Sequence, residues 1–453
     1  MGEEFFKKRN QKRALVFGGG GARGAFEIGV WKALEELDYK PTIVTGTSVG
    51  ALNAVLYAMG NVEEAEKMWK EIETDNVLDF NIPLEIESFN DYRKTMTGFL
   101  IKVIREKGIS SKPLKDMINK YIHDEKEIRQ SEVTLGLSTT NLNTREIEYL
   151  YLTDIEEGKL NDYLLASASL YPAMPKTFIN NTPYIDGGYA NNIPISMALD
   201  KKPDQLIIVD VKGPGLVKYD KRIKNHEHLW IRTKWPLGDM LLFDKKRTEI
   251  NIRLGYDETI KLACPEKYGG YWYTFLQREL KSENDQLLIA INELLTGKRS
   301  KQLYRYIREE NNQVSLLKEV SKRWEQEVKA DTLALALIEL TGKLLNILPE
   351  KIYSVNEFQV EIKSRVEKMV EKERELPIKE FQPAFILSGK EWSEEFIENL
   401  PLFSNRKLAA QLLERLEDPT IKWDNPLYRL LIKMRPYPFI IALYCTYLRQ
   451  RDI

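Results

Sequence analysis

Only two cysteines, Cys264 and Cys445, occur in the 453 residues, which excludes a disulfide framework and leaves free thiols as the expectation. Histidine is almost as scarce: His123, His226 and His228 are the whole supply, so chemistry that needs an imidazole has three candidates. No charge of one sign dominates. The 67 Lys and Arg against 68 Asp and Glu leave a formal net charge of -1, which argues against a nucleic-acid partner. The charged opening segment 1–13 has no apolar h-region, so no signal peptide is expected. The longest apolar-rich run without charge, Pro436–Leu448, is too short for a transmembrane helix. It reads as a buried terminal helix, with lipid contact as the alternative. There is no internal repeat and no low-complexity tract. At 43% apolar and 30% charged, the composition is that of a soluble chain, expected in the cytoplasm with peripheral membrane contact left open. Its length calls for two or three domains.

What is present is organised around Thr42–Ala54. β-Branched residues lead into Gly46-Thr47-Ser48-Val49-Gly50, and small apolar residues suited to a helix follow. Strand, sharp turn carrying serine, then helix is the order of a nucleophile elbow. The glycines suit a turn that resists a Cβ, and the helix N-terminus favours negative charge developing beside Ser48.

Upstream, Ala14-Leu15-Val16-Phe17 reads as a buried strand running into Gly18-Gly19-Gly20-Gly21-Ala22-Arg23-Gly24. Phe26, Val30, Ala33, Leu34 and Leu37 then share a helix face. A glycine-rich strand–helix turn exposes backbone N–H groups and can receive an anion, either a phosphate or the oxyanion of an acyl-transfer intermediate. Gly19, Gly21 and Gly24 satisfy the dinucleotide spacing, but the second strand delivers Ser48 where a ribose-binding acid belongs. No Gly-Lys-Ser/Thr follows, so a P-loop is excluded. A nucleophile beside an oxyanion hole accounts for both loops.

A base is then required. His226 and His228 fall in the Lys- and Asn-rich segment 221–228 and read as solvated loop residues, and no cluster of ligands supports a metal or other cofactor. Asp186, at the end of Tyr184-Ile185-Asp186 and held by Gly187 and Gly188, is the best candidate. A carboxylate can take the serine proton if it is ionised and within reach.

Phe17–Gly24, Gly46–Gly50 and Asp186–Gly188, in that order and spacing, resemble the patatin-like phospholipase family, over about 13–213 and more loosely to 296. The resemblance implies an α/β fold, a parallel-sheet three-layer core, and hydrolysis of acyl esters of phospholipids and related lipids without a metal. It implies Ser48 as nucleophile, Asp186 as base, and an oxyanion hole at Gly19, Gly20 and Gly21, most of it from Gly20 and Gly21. Arg23, Gly24, Gly46, Gly50, Gly187 and Gly188 would support them. Glu27 stands where many bacterial members have histidine, a position without assigned chemistry. Two rival readings remain: a catalytically silent lipid- or partner-binding protein on the same fold, and a nucleotide-binding protein using the glycine loop.

The expected division is a basic leader (1–13), the hydrolase domain (14–296) and an α-helical domain of open role (300–453). In the last, Leu333–Leu348, Phe358–Lys372 and Lys407–Leu416 have helical periods and strand signals are nearly absent. Residues 80–112 read as irregular. The aromatic stretches Trp230–Asp244 and Gly269–Phe275 read as core, or alternatively as the lining of an acyl groove or a lid. The sequence carries no signal for oligomeric state.

Overall fold

Short aliphatic runs that are buried on both faces become central parallel strands, and Ala14–Phe17, Ile43–Val44 and Leu206–Val209 are such runs. The computed structural model describes residues 2–79, 97–98, 101–103, 105, 108–296, 310–375, 404–417 and 426–451. Most of the stretch read as irregular at 80–112 lies outside the described residues. The chain divides into two compact units, Met1–Pro265 and Glu266–Ile453.

The first unit contains the strands β1 (Arg13–Phe17), β2 (Ile43–Thr47), β3 (Thr134–Asn141), β4 (Glu146–Tyr151), β5 (Thr177–Ile179), β6 (Thr182–Asp186), β7 (Gln205–Val209) and β8 (Glu227–Ile231). Its helices are α1 (Gly2–Lys7), α2 (Ala25–Glu36), α3 (Val49–Met59), α4 (Val62–Glu71), α5 (Lys112–Tyr121), α6 (Glu125–Gln130), α7 (Leu160–Ser167), α8 (Ile195–Asp200) and α9 (Lys245–Ala263). The sheet runs β5-β6-β3-β2-β1-β7-β8, with β4 also paired to β3. From β3 to β8 every neighbour is parallel, whereas β4 and β6 run antiparallel to β3, and β5 antiparallel to β6. Ala14, Val16, Leu206 and Ile208 pack against Ile193, Ile195, Ala198 and Leu199 of the α8 region. Leu15, Phe17, Ile207 and Val209 alternate to the other face and are equally buried, so the sheet is covered on both sides. Each such side chain contributes about 1.5–3 kcal/mol by leaving water.

The leader is folded. Phe5 and Phe6 of α1 are buried, and their rings meet Tyr39 at 5.8 and 5.4 Å.

The second unit contains a small sheet of β9 (Tyr268–Gly269), β10 (Thr274–Leu276) and β11 (Ile352–Tyr353). Its helices are α10 (Gln277–Thr296), α11 (Glu310–Trp324), α12 (Leu333–Leu344), α13 (Val355–Glu375), α14 (Asn405–Glu417), α15 (Pro426–Met434) and α16 (Pro436–Arg449). The partners of α10 are in this unit: Glu279 accepts from the Val355 N–H at 2.7 Å, and Asn284 donates to the Ala330 carbonyl at 2.7 Å. The division therefore falls before α10, ahead of the composition shift near residue 300. Buried Glu339 accepts the N–H groups of Tyr271, Trp272 and Tyr273 at 2.7, 2.8 and 3.1 Å and the Trp324 indole at 2.6 Å. That fixes an aromatic core in which Phe358 meets Tyr273 and Tyr353 at 4.8 Å each. Helix α16 is buried through Phe439, Ile441, Tyr444 and Leu448, which places the Pro436–Leu448 run in a core. Among the described residues no helix is long and apolar enough to cross a membrane.

Candidate active site

The register of β3 brings the two candidate reacting groups together. Strand β4 occupies Gly136–Asn141 on one edge of β3, so β2 and β6 share the other. Thr47, the last residue of β2, pairs with Ser138, and Asp186, the last residue of β6, pairs with Thr139. One strand is parallel to β3 and the other antiparallel, so their carboxyl ends meet head-on at adjacent positions.

Ser48 follows β2 with φ 56° and ψ -127°, a left-handed backbone that costs a non-glycine residue on the order of 1–3 kcal/mol and persists only when its surroundings enforce it. The enforcement is visible. The Ser48 N–H donates to Ser167 Oγ at 2.9 Å, and Ser167 Oγ donates to the Ser138 carbonyl at 2.7 Å. A Cβ at Gly46 would lie 2.0 Å from the Gly50 carbonyl oxygen, so strand and helix cross only because that position is bare. Ser48 Oγ donates to Asp186 Oδ2 at 2.6 Å, and Asp186 Oδ1 accepts from the Gly188 N–H at 2.7 Å. Gly187 opens the tight turn that makes this second bond. Burial raises the Asp186 carboxyl to about 6, with the Ser48 hydroxyl and the Gly188 N–H pulling the other way.

The glycine loop sits beside the serine. Gly20 and Gly21 line the same cavity as Ser48 and Asp186, and their N–H groups have no acceptor among the described residues. Gly19 differs from its expected role. Its N–H donates to the Asn192 carbonyl at 3.0 Å and its carbonyl accepts from Asn192 Nδ2 at 3.0 Å, so this amide is spent on anchoring the loop. Gly21 has φ 57°, a conformation glycine adopts without strain. Arg23 donates to the carbonyls of Gly238 at 2.9 Å and Lys212 at 2.5 Å, tying the loop to the chain beyond β7. Gly24 closes the loop and packs against the Val49 side chain.

Behind the loop, Asn53 of α3 donates to the Gly24 carbonyl at 3.0 Å and to Glu27 of α2 at 2.7 Å, and accepts from the Trp69 indole at 2.9 Å. Glu27 is fully buried, and desolvation holds its carboxyl well above the usual carboxylate range against the opposing pull of Asn53 and the Gly18 N–H.

All of this opens on a cavity of about 370 Å³, lined mainly by apolar side chains such as Leu52, Trp69, Leu114, Met117, Met240 and Phe243. Met240, Leu241 and Phe243 of the first aromatic stretch thus line the cavity, while Trp272, Tyr273 and Phe275 of the second are core of the second unit. The histidines lie elsewhere. His228 is on β8, paired with Leu206 near the start of β7, at the end of the sheet opposite Ser48. His226 is half-buried with Nδ1 at 2.7 Å from the Pro203 carbonyl, so this pair belongs to a strand edge and its lead-in rather than a solvated loop. His123 is exposed. Sequence reasoning missed Ser138 and Ser167, which hold the elbow, and gave no role to Asn192. Their only signals were a run of small residues and a pair of asparagines.

Fold and site together define an α/β protein with a serine at a sharp strand-to-helix turn, a glycine loop and an apolar cavity at the carboxyl ends of its parallel strands. Residues 15–199 match the family described as patatin-like phospholipase. It is 29% identical over 264 residues to patatin-like phospholipase domain-containing protein 6 of Mus musculus, covering 57% of this chain and 18% of that protein. It is 27% identical over 207 residues to lysophospholipase NTE1 of Candida albicans, covering 45% of this chain and 13% of that one. The chain thus spans less than a fifth of these relatives' length. Among solved structures it is similar to VipD from Legionella pneumophila (14% identity, 98% of this chain and 94% of that chain, TM-score 0.35). A second is the type III effector protein ExoU (14% identity, 98% and 90%, TM-score 0.34).

Proposed function

We propose that the protein is a serine acyl hydrolase that cleaves carboxylic esters of phospholipids or related lipids through Ser48 and Asp186. The observation that carries the reading is the 2.6 Å bond from Ser48 Oγ to Asp186 at the polar end of an apolar cavity. Asp186 takes the Ser48 proton as Oγ attacks the ester carbonyl carbon. The carbonyl electron pair moves onto oxygen, where the N–H groups of Gly20 and Gly21 and the N-terminus of α3 stabilise it. Collapse of this intermediate expels the alkoxide, which takes the proton from Asp186 and leaves an acyl-serine. Water then gives its proton to Asp186 and attacks the acyl carbon. Ser48 leaves with that proton and the fatty acid departs. A carboxyl titrating near 6 is ionised at neutral pH and basic enough to accept a proton, which is the compromise a general base requires. The apolar lining is suited to an acyl chain, and the phospholipase and lysophospholipase names of the relatives point the same way.

Hydrolysis of p-nitrophenyl esters of graded chain length, beside a labelled phospholipid, tests this with wild type and Ser48→Ala. Turnover that rises with acyl length and disappears in the variant is expected. Equal turnover by both proteins would overturn the assignment.

A further inference from the structure

Leu216, Val217 and Tyr219 are 62%, 50% and 62% exposed within a run, 214–219, in which every residue is exposed. Single exposed apolar side chains are ordinary, but three large ones in six residues mark an interaction surface. The run is held in place where it stands. The Leu216 carbonyl accepts from the Asn192 N–H at 2.6 Å, and the Leu216 N–H donates to the Gly188 carbonyl at 3.1 Å. The Lys218 N–H donates to Asn191 Oδ1 at 3.0 Å. Gly188, Asn191 and Asn192 belong to the turn that follows Asp186, so the loop is bonded to the site's own backbone.

Pro214, Gly215 and Leu216 also line the cavity, so its apolar wall continues onto the exposed loop. Tyr189 lines it as well, is 43% exposed, and donates its hydroxyl to the carbonyl of Tyr171, itself 43% exposed. Apolar side chains at a cavity mouth, a tyrosine with a polar tip, and exposed Lys218 between Val217 and Tyr219 match the layering of a bilayer surface. Apolar groups enter the acyl boundary, while phenol and ammonium stay with the headgroups.

We propose that the 214–219 loop is the surface by which this protein docks on a phospholipid bilayer, seating the mouth of its cavity against the lipid. The proposal rests on the acyl-hydrolase reading for what enters the cavity. Docking itself requires no turnover.

The test uses the full chain carrying Ser48→Ala, sedimented with phosphatidylcholine vesicles. Added Val217→Glu and Tyr219→Glu should weaken partition at least ~10-fold, since together they remove apolar burial worth more than a single decade of affinity. Added Val217→Trp should strengthen it. In the Ser48 background the Glu pair should leave p-nitrophenyl butyrate turnover at the parent level, because neither side chain lines the cavity. Failure of the parent to bind vesicles, or equal partition by parent and variants, overturns the proposal. Normal vesicle binding together with no ester turnover by the chain that retains Ser48 would instead remove the hydrolase reading and leave docking intact.

Discussion

Replacing Asp186 with asparagine should sharply reduce turnover and, at alkaline pH, stabilise the fold. Burial raises this carboxyl from 3.8 to about 6. Between those values the folded state holds a proton that the unfolded state has released, so stability falls as pH rises through the window and the penalty is complete above it. About two pKa units correspond to about 3 kcal/mol. An asparagine carries no such penalty, and its amide oxygen can still accept from the Gly188 N–H, now 2.7 Å from Asp186 Oδ1. Asp186→Asn should therefore melt above wild type at pH 8, by roughly 2–4 °C per kcal/mol for a domain of this size, and the advantage should vanish near pH 4. Its esterase activity should fall by roughly 10²–10⁴ with the loss of the base, while wild-type kcat/KM should rise with pH through about 6 and then level. Thermal melts of the two proteins at pH 4, 6 and 8 provide the assay. A variant destabilised equally at every pH would refute the reasoning, since a buried ionised carboxylate would then not be what the site maintains.

Three further outcomes are expected. Ser48→Gly should stabilise the first unit by about 1 kcal/mol or more while removing activity, because glycine adopts φ 56° without strain; a lower melting temperature would count against a strained elbow. Asn53→Ala should leave the Trp69 indole N–H without its partner and take one bond each from Glu27 and the Gly24 carbonyl, at about 1–3 kcal/mol for the buried indole left unpaired; urea titration should show a lowered midpoint. Glu339→Ala should leave four donors unpaired in the second unit and broaden or lower its unfolding transition, seen in the near-UV dichroism of Trp272, Trp324 and Tyr273. Unchanged ester turnover at low temperature would show the damage confined to that unit.

Ser48, the glycine loop and Asp186 could be read from the sequence because each sits at a turn whose backbone demand is local, and local demands leave glycines behind. The elbow's requirement for Gly46 is met within four residues, at Gly50. What the sequence could not show is set by distant pairing. Ser167 supports Ser48 across 119 positions, and nothing near either serine announces the other. A run of glycines does not reveal which amides stay available either: Gly19 loses its own to Asn192, 173 positions away. The same limit applies to α10, since helical periodicity is silent about which core a helix joins. Pro436–Leu448 is a related case, since its apolar length fitted a buried helix or a lipid contact, and only the packing of α16 chooses. Glu27 makes the point most sharply. In the sequence it stands at a position without assigned chemistry. In three dimensions it is a buried carboxyl bonded to Asn53, joining the first turn of α2 to α3, the helices that leave the glycine loop and the elbow. The geometry between those two loops therefore depends on a pair that neither motif contains.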